Sequence, residues 1–382
     1  VDQVVNLELA TANNSEELCD FFNGFQISGL IDLKVQRLDN YFAPYLIQSD
    51  TSRTYFLREK GTQKILAAAS FVLQRAYLGS DQVRIAHAMD LRVKNSRSAI
   101  VEWSHHFLPV LAEIRREMDA QYLFSTINNS ESSAFNAFIR PRKLRRPLPR
   151  YFLYRKFRIN SLHGQFPWAP RPLTSIRVTA GHPGLLSKLA TYIAEKSRFR
   201  TFSTVWDQKS LEQKISRLPG LSLSDFLVAF DANDKIIGCL APWKIGELQK
   251  WLPLSYSLSA HNFRQFLKFG RLFGWTRPLT KPVASTGREN PLQMQAITHL
   301  HIDNEDVLET LLWEAFHRIG PQEFLVYAQV ENDFRLNPPR SWVSASLPYS
   351  MYSILNPNEE VPDFLHPGIA ANPEIEAAYT MW

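Results

Sequence analysis

The sequence predicts a mixed α/β (α+β) fold built as two tandem domains, each with a central, mostly antiparallel sheet flanked by helices. Three observations carry this expectation. Alternating or continuous apolar runs bounded by turn residues read as strands, segments with apolar residues at helical spacing read as helices, and their order recurs in the second half of the chain. A segment rich in proline, residues 161–174 within NSLHGQFPWAPRPLTS, separates the halves as a linker.

In the first domain, residues 1–160, VVNLELATA alternates as a strand, and NSEELCDFFNGF starts a helix with Asn14 or Ser15 as N-cap and acids in its first turn. RTYFLREKGTQKILAAASFVLQRAYLGSDQVRIAHAMDLRV divides into three strands at Lys60-Gly61 and Gly79-Ser80, most simply a meander. SRSAIVEWSHHFLPVLAEIRREMDAQ places Ile100, Trp103, Phe107, Val110 or Leu111, and Ile114 at helical spacing, with a kink expected at Pro109. YLFSTI is a short buried strand, and RYFLYRKFRI alternates as the final strand of that sheet.

The second domain, residues 175–356, repeats the plan. TSIRVTA is a strand, HPGLLSKLATYIAEKSRF and QKSLEQKISRL are helices, and DFLVAFDANDKIIGCLAPWK is a hairpin turning at Asn233-Asp234. LQMQAITHLHID is a strand, NEDVLETLLWEAFHRIG a helix ended by Gly320-Pro321, and EFLVYAQV and PYSMYSIL are the last two strands. An aromatic insertion, 246–290, interrupts the order. Its Phe263, Phe266, Phe269 and Phe273 recur at helical spacing; core packing is the default explanation, and a groove for an acyl chain or aromatic substrate is the sharper one. Residues 357–382 form a tail.

Composition narrows the function classes. With 382 residues, 45% hydrophobic and 12% aromatic, the chain has apolar content for about two to three domains of ordinary size. A formal net charge of +6 permits an anionic partner without demanding one. Cys19 and Cys239 form neither a disulfide framework nor a metal cluster and suit a reducing compartment. No apolar run is long enough for a membrane span, and VDQVVNLELATANNSEELCDFF lacks a signal peptide's basic head and apolar middle, so the expected compartment is the cytoplasm. Gly-x-Gly and P-loop patterns are missing, which argues against nucleotide hydrolysis or a dinucleotide cofactor. Ser104, Ser125 and Ser203 lack a nucleophile-elbow context, and His299 and His301 have no third ligand nearby, so neither acyl-serine nor metal chemistry is expected.

Two stretches carry chemistry. DLRVKNSRSAIVEW joins a strand to a helix start, where successive backbone N–H groups and a basic side chain suit a diphosphate. NNSESSAFN follows the next strand. Together with the order of elements, these segments resemble the GNAT acyltransferase superfamily in its tandem form. That family's fourth strand ends in Val before an Arg/Gln-x-x-Gly-x-Gly/Ala loop that holds the pyrophosphate of coenzyme A. The resemblance implies Val93, Arg97, Ser98 and Ala99 as coenzyme contacts, with both loop glycines absent. It aligns NNSESSAFN with the family's Asn-x-x-Ala-x-x-Leu-Tyr motif through Asn129, Ser132, Phe135 and Asn136, so that Asn136 stands where the family keeps the tyrosine that protonates the leaving thiolate.

The family often places a carboxylate base on the strand before the loop, which implies Asp90 here, with His87 close by. Alternation puts the two on opposite faces unless a bulge intervenes. An ion pair with Arg92 or Arg84 is the structural alternative for Asp90, and a buried, hydrogen-bonded ring is the alternative for His87. In the second domain, Asp303, Glu305, Asp306 and Glu309 crowd the corresponding helix start, where they complement its dipole and repel a pyrophosphate. That domain is therefore expected to shape the substrate cleft or the domain interface.

The basic run from Arg140 to Arg158 is interrupted by prolines and reads as an extended loop. Arg142, Lys143, Arg145 and Arg146 are its anion-binding candidates, against the alternative of a solvated loop. The combined expectation is an acyl-CoA-dependent N-acyltransferase, using acetyl-CoA or a longer acyl-CoA, acting on a small-molecule or peptide amine, with its site in the first domain. Two other classes fit the departures from the family pattern: a catalytically silent tandem protein that binds a metabolite or protein, and an aminoacyl-tRNA-dependent transferase whose basic cluster holds RNA.

Overall fold

The computed structural model describes residues 5–129 and 147–366. The first half runs β1 (Val5–Leu9), α1 (Ser15–Asn23), β2 (Ile31–Arg37), α2 (Ala43–Leu46), β3 (Ser52–Glu59), β4 (Ile65–Leu78), β5 (Asp81–Val93), α3 (Arg97–Glu117), β6 (Tyr122–Asn128) and β7 (Arg150–Gln165). The second runs β8 (Arg177–Ala180), α4 (Leu186–Arg198), α5 (Gln208–Arg217), β9 (Leu227–Phe230), β10 (Ile236–Trp243), β11 (Gln249–Tyr256), α6 (Leu258–Leu272), α7 (Val283–Thr286), β12 (Met294–Ile302), α8 (Glu305–Arg318), β13 (Phe324–Val330) and β14 (Trp342–Leu355).

Local chemistry explains most of these boundaries. The β4–β5 hairpin turns at Gly79, whose φ of 63° is the left-handed conformation that a residue without Cβ adopts freely. The β9–β10 hairpin turns through Asp234, also at positive φ, with Asp231 Oδ1 accepting from the Asn233 and Lys235 amides. Helix α3 continues through Pro109 and buries Trp103, Phe107, Val110, Leu111 and Ile114. Ile100, expected on that face, is exposed. Helix α8 buries Val307, Leu308, Leu311 and Leu312 against the corresponding face of the second half.

Twelve strands form one sheet in the order β1-β3-β4-β5-β6-β14-β7-β13-β12-β10-β9-β8. It is mostly antiparallel; β5–β6 and β12–β13 are its parallel neighbours. The final strands of the two halves are exchanged. RYFLYRKFRI, expected to close the first sheet, lies in β7 and pairs with β13 of the second half, while β14 pairs with β6 of the first. Strands β7 and β14 also pair with each other along nearly their whole lengths, from Arg150↔Leu355 to Gln165↔Trp342, which makes the two sheets continuous. Ser161–Gln165, at the start of the expected linker, belong to β7.

The insertion also crosses between halves. Its β11 pairs with β2 as a separate two-stranded sheet, Trp251 opposite Val35. Farther on, Thr276 bridges Gly164 at the end of β7, and Arg277 N–H donates to His163 O at 2.6 Å. A Cβ on Gly164 would lie 2.0 Å from Trp275 O and 2.7 Å from Thr276 Cα, both backbone atoms that cannot swing aside. Gly164→Ala should therefore destabilise the protein by about 2 kcal/mol, the scale of forced overpacking. Gly61→Ala, with nothing within 4 Å of the added methyl, should have little effect. Thermal and urea unfolding of the two variants checks this, and equal midpoints would show that the contact yields.

Candidate functional site

Parallel pairing of β5 with β6 runs only from Ile85↔Tyr122 to Ala88↔Ser125. Beyond it β5 continues to Val93 while β6 turns toward β14, so the strands part and their facing backbone groups lose the ladder. The parting coincides with a bulge. The β4–β5 register shifts between Ala68 and Ser70, and Asp90 adopts a φ of 50°. A cavity of about 430 Å³ occupies the gap and reaches into the second half. Residues of β5 from His87 to Arg92 line one side, with Ser125 to Asn128 of β6; Ser161 and His163 of β7, Tyr349 and Met351 of β14, and Phe263 of α6 line others.

The bulge turns Asp90 toward β2. Arg37 and Asp90 form an ion pair with both side chains fully buried, and the Tyr45 hydroxyl donates to the same Oδ2 atom at 2.6 Å. Arg37 also donates to Tyr41 O at 2.6 Å and lies over the rings of Phe22, Tyr41 and Tyr45 at 4.4, 4.7 and 4.8 Å. Burial works most strongly against the guanidinium charge, but the Asp90 carboxylate together with Tyr45 and Tyr41 outweighs it, and Arg37 is held above its ordinary pKa. The expected partners, Arg92 and Arg84, are not the ones used. Asp90, expected as a free base, instead ties the bulge to the aromatic cage around Arg37, with one oxygen committed and the other without a partner among the described residues.

His87 lines the cavity, packs on Phe124 with ring centroids 6.1 Å apart, and has no hydrogen-bond partner among the described residues. Burial lowers its pKa to about 4, so the imidazole is neutral near pH 7. His163, on β7, is 1% exposed; its Nε2 lies 3.0 Å from Ser161 Oγ, and Nδ1 has no partner among the described residues. Burial lowers its pKa to about 3. His163 belongs to no recognisable motif and falls within the expected linker, residues 161–174, the start of which is the end of β7.

Helix α3 opens immediately after β5. Ser96 is its N-cap, its Oγ accepting from Ala99 N–H at 3.2 Å, so that amide, one of the expected coenzyme contacts, is already used. The Arg97 and Ser98 amides have no hydrogen-bond partner among the described residues, and both side chains are exposed. Val93 ends β5 as expected, and Asn129 donates its amide to Pro348 O on β14 at 3.0 Å. Asn136, Arg142, Lys143, Arg145 and Arg146 lie outside the described residues.

No family profile matches the sequence, and the search of curated proteins returns no match. Solved structures do. The chain is similar to N-myristoyltransferase of Saccharomyces cerevisiae with bound myristoyl-CoA, at 10% identity over 93% of this chain and 80% of that one, with a TM-score of 0.54. A second structure of that enzyme gives 11% identity, 92% and 83% coverage and a TM-score of 0.51. The glucosamine N-acetyltransferase region of a fungal multi-domain GH3 β-N-acetylglucosaminidase gives 10% identity over 93% of this chain and 38% of that one, with a TM-score of 0.54. The chain shares its GNAT-like fold with these structures.

The two GNAT-like halves differ at equivalent places. In the second, β12 also bulges, with His299 at a φ of 54° and the β10–β12 register shifting beside it. There aromatic rings pack on the bulge. His299 is buried against Trp206 and Phe226, at 5.3 and 5.1 Å between ring centroids, and no residue from Ile297 to Ile302 lines the cavity. The helix start beyond it carries Glu305 and Asp306, with Asn304 capping the Val307 amide at 3.0 Å. Asp303 accepts from Tyr192 at 2.9 Å and pairs with Lys196 at 2.8 Å.

Two outcomes follow from the buried charges. Arg37→Ala should cost about 3–5 kcal/mol, because it strands Asp90 without its counter-ion, whereas the double change Arg37→Met with Asp90→Asn should cost less than the sum of its parts; urea unfolding of the cycle measures this. His163 titrates near its ordinary value of about 6.5 when unfolded but at about 3 when folded. The unfolded chain therefore binds the extra proton, and this contribution is full above that value and lost as pH falls toward the folded pKa. His163→Gln should flatten the acid limb of stability; an unchanged limb would show that other groups set it.

Proposed function

We propose that the protein is an acyl-CoA-dependent N-acyltransferase whose reaction centre is the gap between β5 and β6. The observation that carries this reading is an opened gap with a lined cavity in the first half, followed along the chain by a helix start whose first amides have no partner among the described residues, while the second half packs aromatic rings on its bulge and places acids at its helix start. The likeness of fold to acyltransferases supports the same class.

The Arg97 and Ser98 amides and the Arg97 side chain would hold the diphosphate of the coenzyme, with Ser96 keeping the helix start in order. The parted edge of β5 from Met89 to Leu91 would offer backbone N–H to the carbonyl oxygen that gains charge as an amine adds. His87, neutral and without a hydrogen-bond partner among the described residues, would take the proton that the amine releases, the role expected of Asp90, whose carboxylate is engaged by Arg37. The apolar side chains around the gap, among them Phe71, Leu91 and Phe107, leave room for an acyl group larger than acetyl. The acceptor amine would approach from the side lined by β7 and β14, where Ser161 and His163 supply polar contacts.

Calorimetry with acetyl-CoA and longer acyl-CoAs, combined with thiol release in the presence of a panel of amines and amine-terminated peptides, tests the reading. Arg97→Glu should weaken acyl-CoA binding about tenfold or more, by replacing a phosphate partner with a like charge. His87→Gln should leave donor affinity near parental and lower turnover about 10²-fold. With its folded pKa near 4, His87 should impose no break in the rate between about pH 5 and 8, where only the acceptor amine's own ionisation should appear. Absence of binding to every acyl-CoA would overturn the assignment.

A further inference from the structure

Helix α6 presents three faces. Leu267 and Gly270 are buried and Phe263 is half-buried against the cavity. A second apolar stripe faces outward: Leu258, Phe266, Phe269, Leu272 and Phe273 are exposed, at 79%, 44%, 57%, 79% and 54%. The stripe ends on Trp275, where the rings of Phe269 and Phe273 lie 5.2 Å apart and those of Phe273 and Trp275 stack at 4.9 Å. These rings cover one another rather than a core. Between the two apolar faces stand His261, Lys268 and Arg271.

The charge along the segment that carries the stripe has one sign. No Asp or Glu occurs between Glu247 and Glu289. Arg264 and Arg277 donate to backbone carbonyls, Arg264 to Leu279 O and Arg277 to Phe316 O and Glu323 O. Lys268, Arg271, Lys281 and Arg288 are exposed and enter no ion pair among the described residues. Exposed Phe, Leu and Trp beside unpaired cations, on one amphipathic helix, match a surface that lies in the headgroup layer of an anionic bilayer. A second copy fits less well, since a two-fold contact would set these cations against each other with no acid in the segment to receive them. No helix among the described residues is long and apolar enough to cross a membrane, so the contact would be peripheral.

We propose that α6 and the turn to Trp275 form a docking surface for an anionic lipid bilayer. The inference does not depend on which reaction the cavity supports. It does set the geometry of access: Ser259, Ala260 and Phe263 on the opposite side of the same helix line the cavity, so docking would hold the cavity wall about 10 Å, one helix diameter, from the headgroups.

Co-sedimentation of the full chain with phosphatidylcholine vesicles, with and without phosphatidylserine, tests the proposal. The parent should bind the phosphatidylserine vesicles at least about tenfold more tightly than the neutral ones, with a dependence on salt. Phe269→Ser with Phe273→Ser should lose binding to both, while Lys268→Glu with Arg271→Glu should lose the preference for the anionic lipid and the salt dependence. Both pairs are exposed, and an unchanged thermal midpoint confirms that each variant is folded. Parental binding by either variant, or no vesicle binding by the parent, overturns the proposal. Concentration-dependent dimerisation abolished by the Phe changes, or binding of an acidic amphipathic peptide in place of vesicles, would assign the stripe to a protein contact instead and overturn it equally.

Discussion

Strands that part inside a folded protein expose amides and carbonyls to a medium that solvates them poorly, and something must hold the strands apart against the gain from zipping up. Here the Arg37–Asp90 ion pair braces the bulge at which β5 leaves β6. Asp90 sits at the residue where β5 bulges, and its partner comes from β2, outside the main sheet. Phe22 of α1, Tyr45 of α2 and Tyr41 from the turn before α2 enclose Arg37, so the pair between β2 and β5 is boxed in by the first half's helices. A buried pair of this kind adds little net stability over an apolar replacement, but it penalises any arrangement that separates the two charges. That penalty favours the arrangement in which Asp90 stays turned toward β2 at the edge of the cavity.

The comparison of the two halves isolates what the ion pair contributes. Both strands that precede the parting carry a bulge with a residue at positive φ, Asp90 in one and His299 in the other. At His299 aromatic rings pack on the bulge; at Asp90 a charge network draws the side chain aside. The same backbone device therefore yields a closed core in one half and an opened gap in the other, according to which side chains surround it. The helix starts diverge in the same sense: exposed Arg97 and Ser98 in one, Glu305 and Asp306 in the other.

Much of the fold was legible in the sequence because its elements are locally determined. Gly79 and Asp234 mark hairpins by their own backbone preferences, and the apolar spacing of α3 and α8 identifies their buried faces without knowledge of the partner. Strand β2 was not legible. Its Ile31, Leu33 and Val35 alternate with Asp32, Lys34 and Gln36 as in a half-buried strand, but the run is short and its pairing partner is β11, more than two hundred residues away in the insertion. The exchange of β7 and β14 was hidden for the same reason, since an alternating strand identifies its faces but not its neighbour. Asp90 was found as a candidate, but its partner Arg37 lay in the unread strand, so the sequence pointed to Arg92 and Arg84. On α6 the spacing of Phe266, Phe269 and Phe273 identified a helix correctly and its environment wrongly, because periodicity does not distinguish a buried face from an exposed one.

The exchange also explains why a second half with aromatic rings on its bulge and an acidic helix start would be retained beside a first half that has neither. Strand β14 is the sheet neighbour of β6, and its Tyr349 and Met351 line the cavity opposite β5. Asn129, just past β6, is held by Pro348 of the same strand. Strand β7 in turn belongs to the second half's sheet while carrying Ser161 and His163 into the cavity, and Gly164 anchors it to the segment that follows α6. Neither half has a complete wall without the other. The second half's contribution to the cavity is thus part of its wall, supplied by strand pairing and side-chain packing.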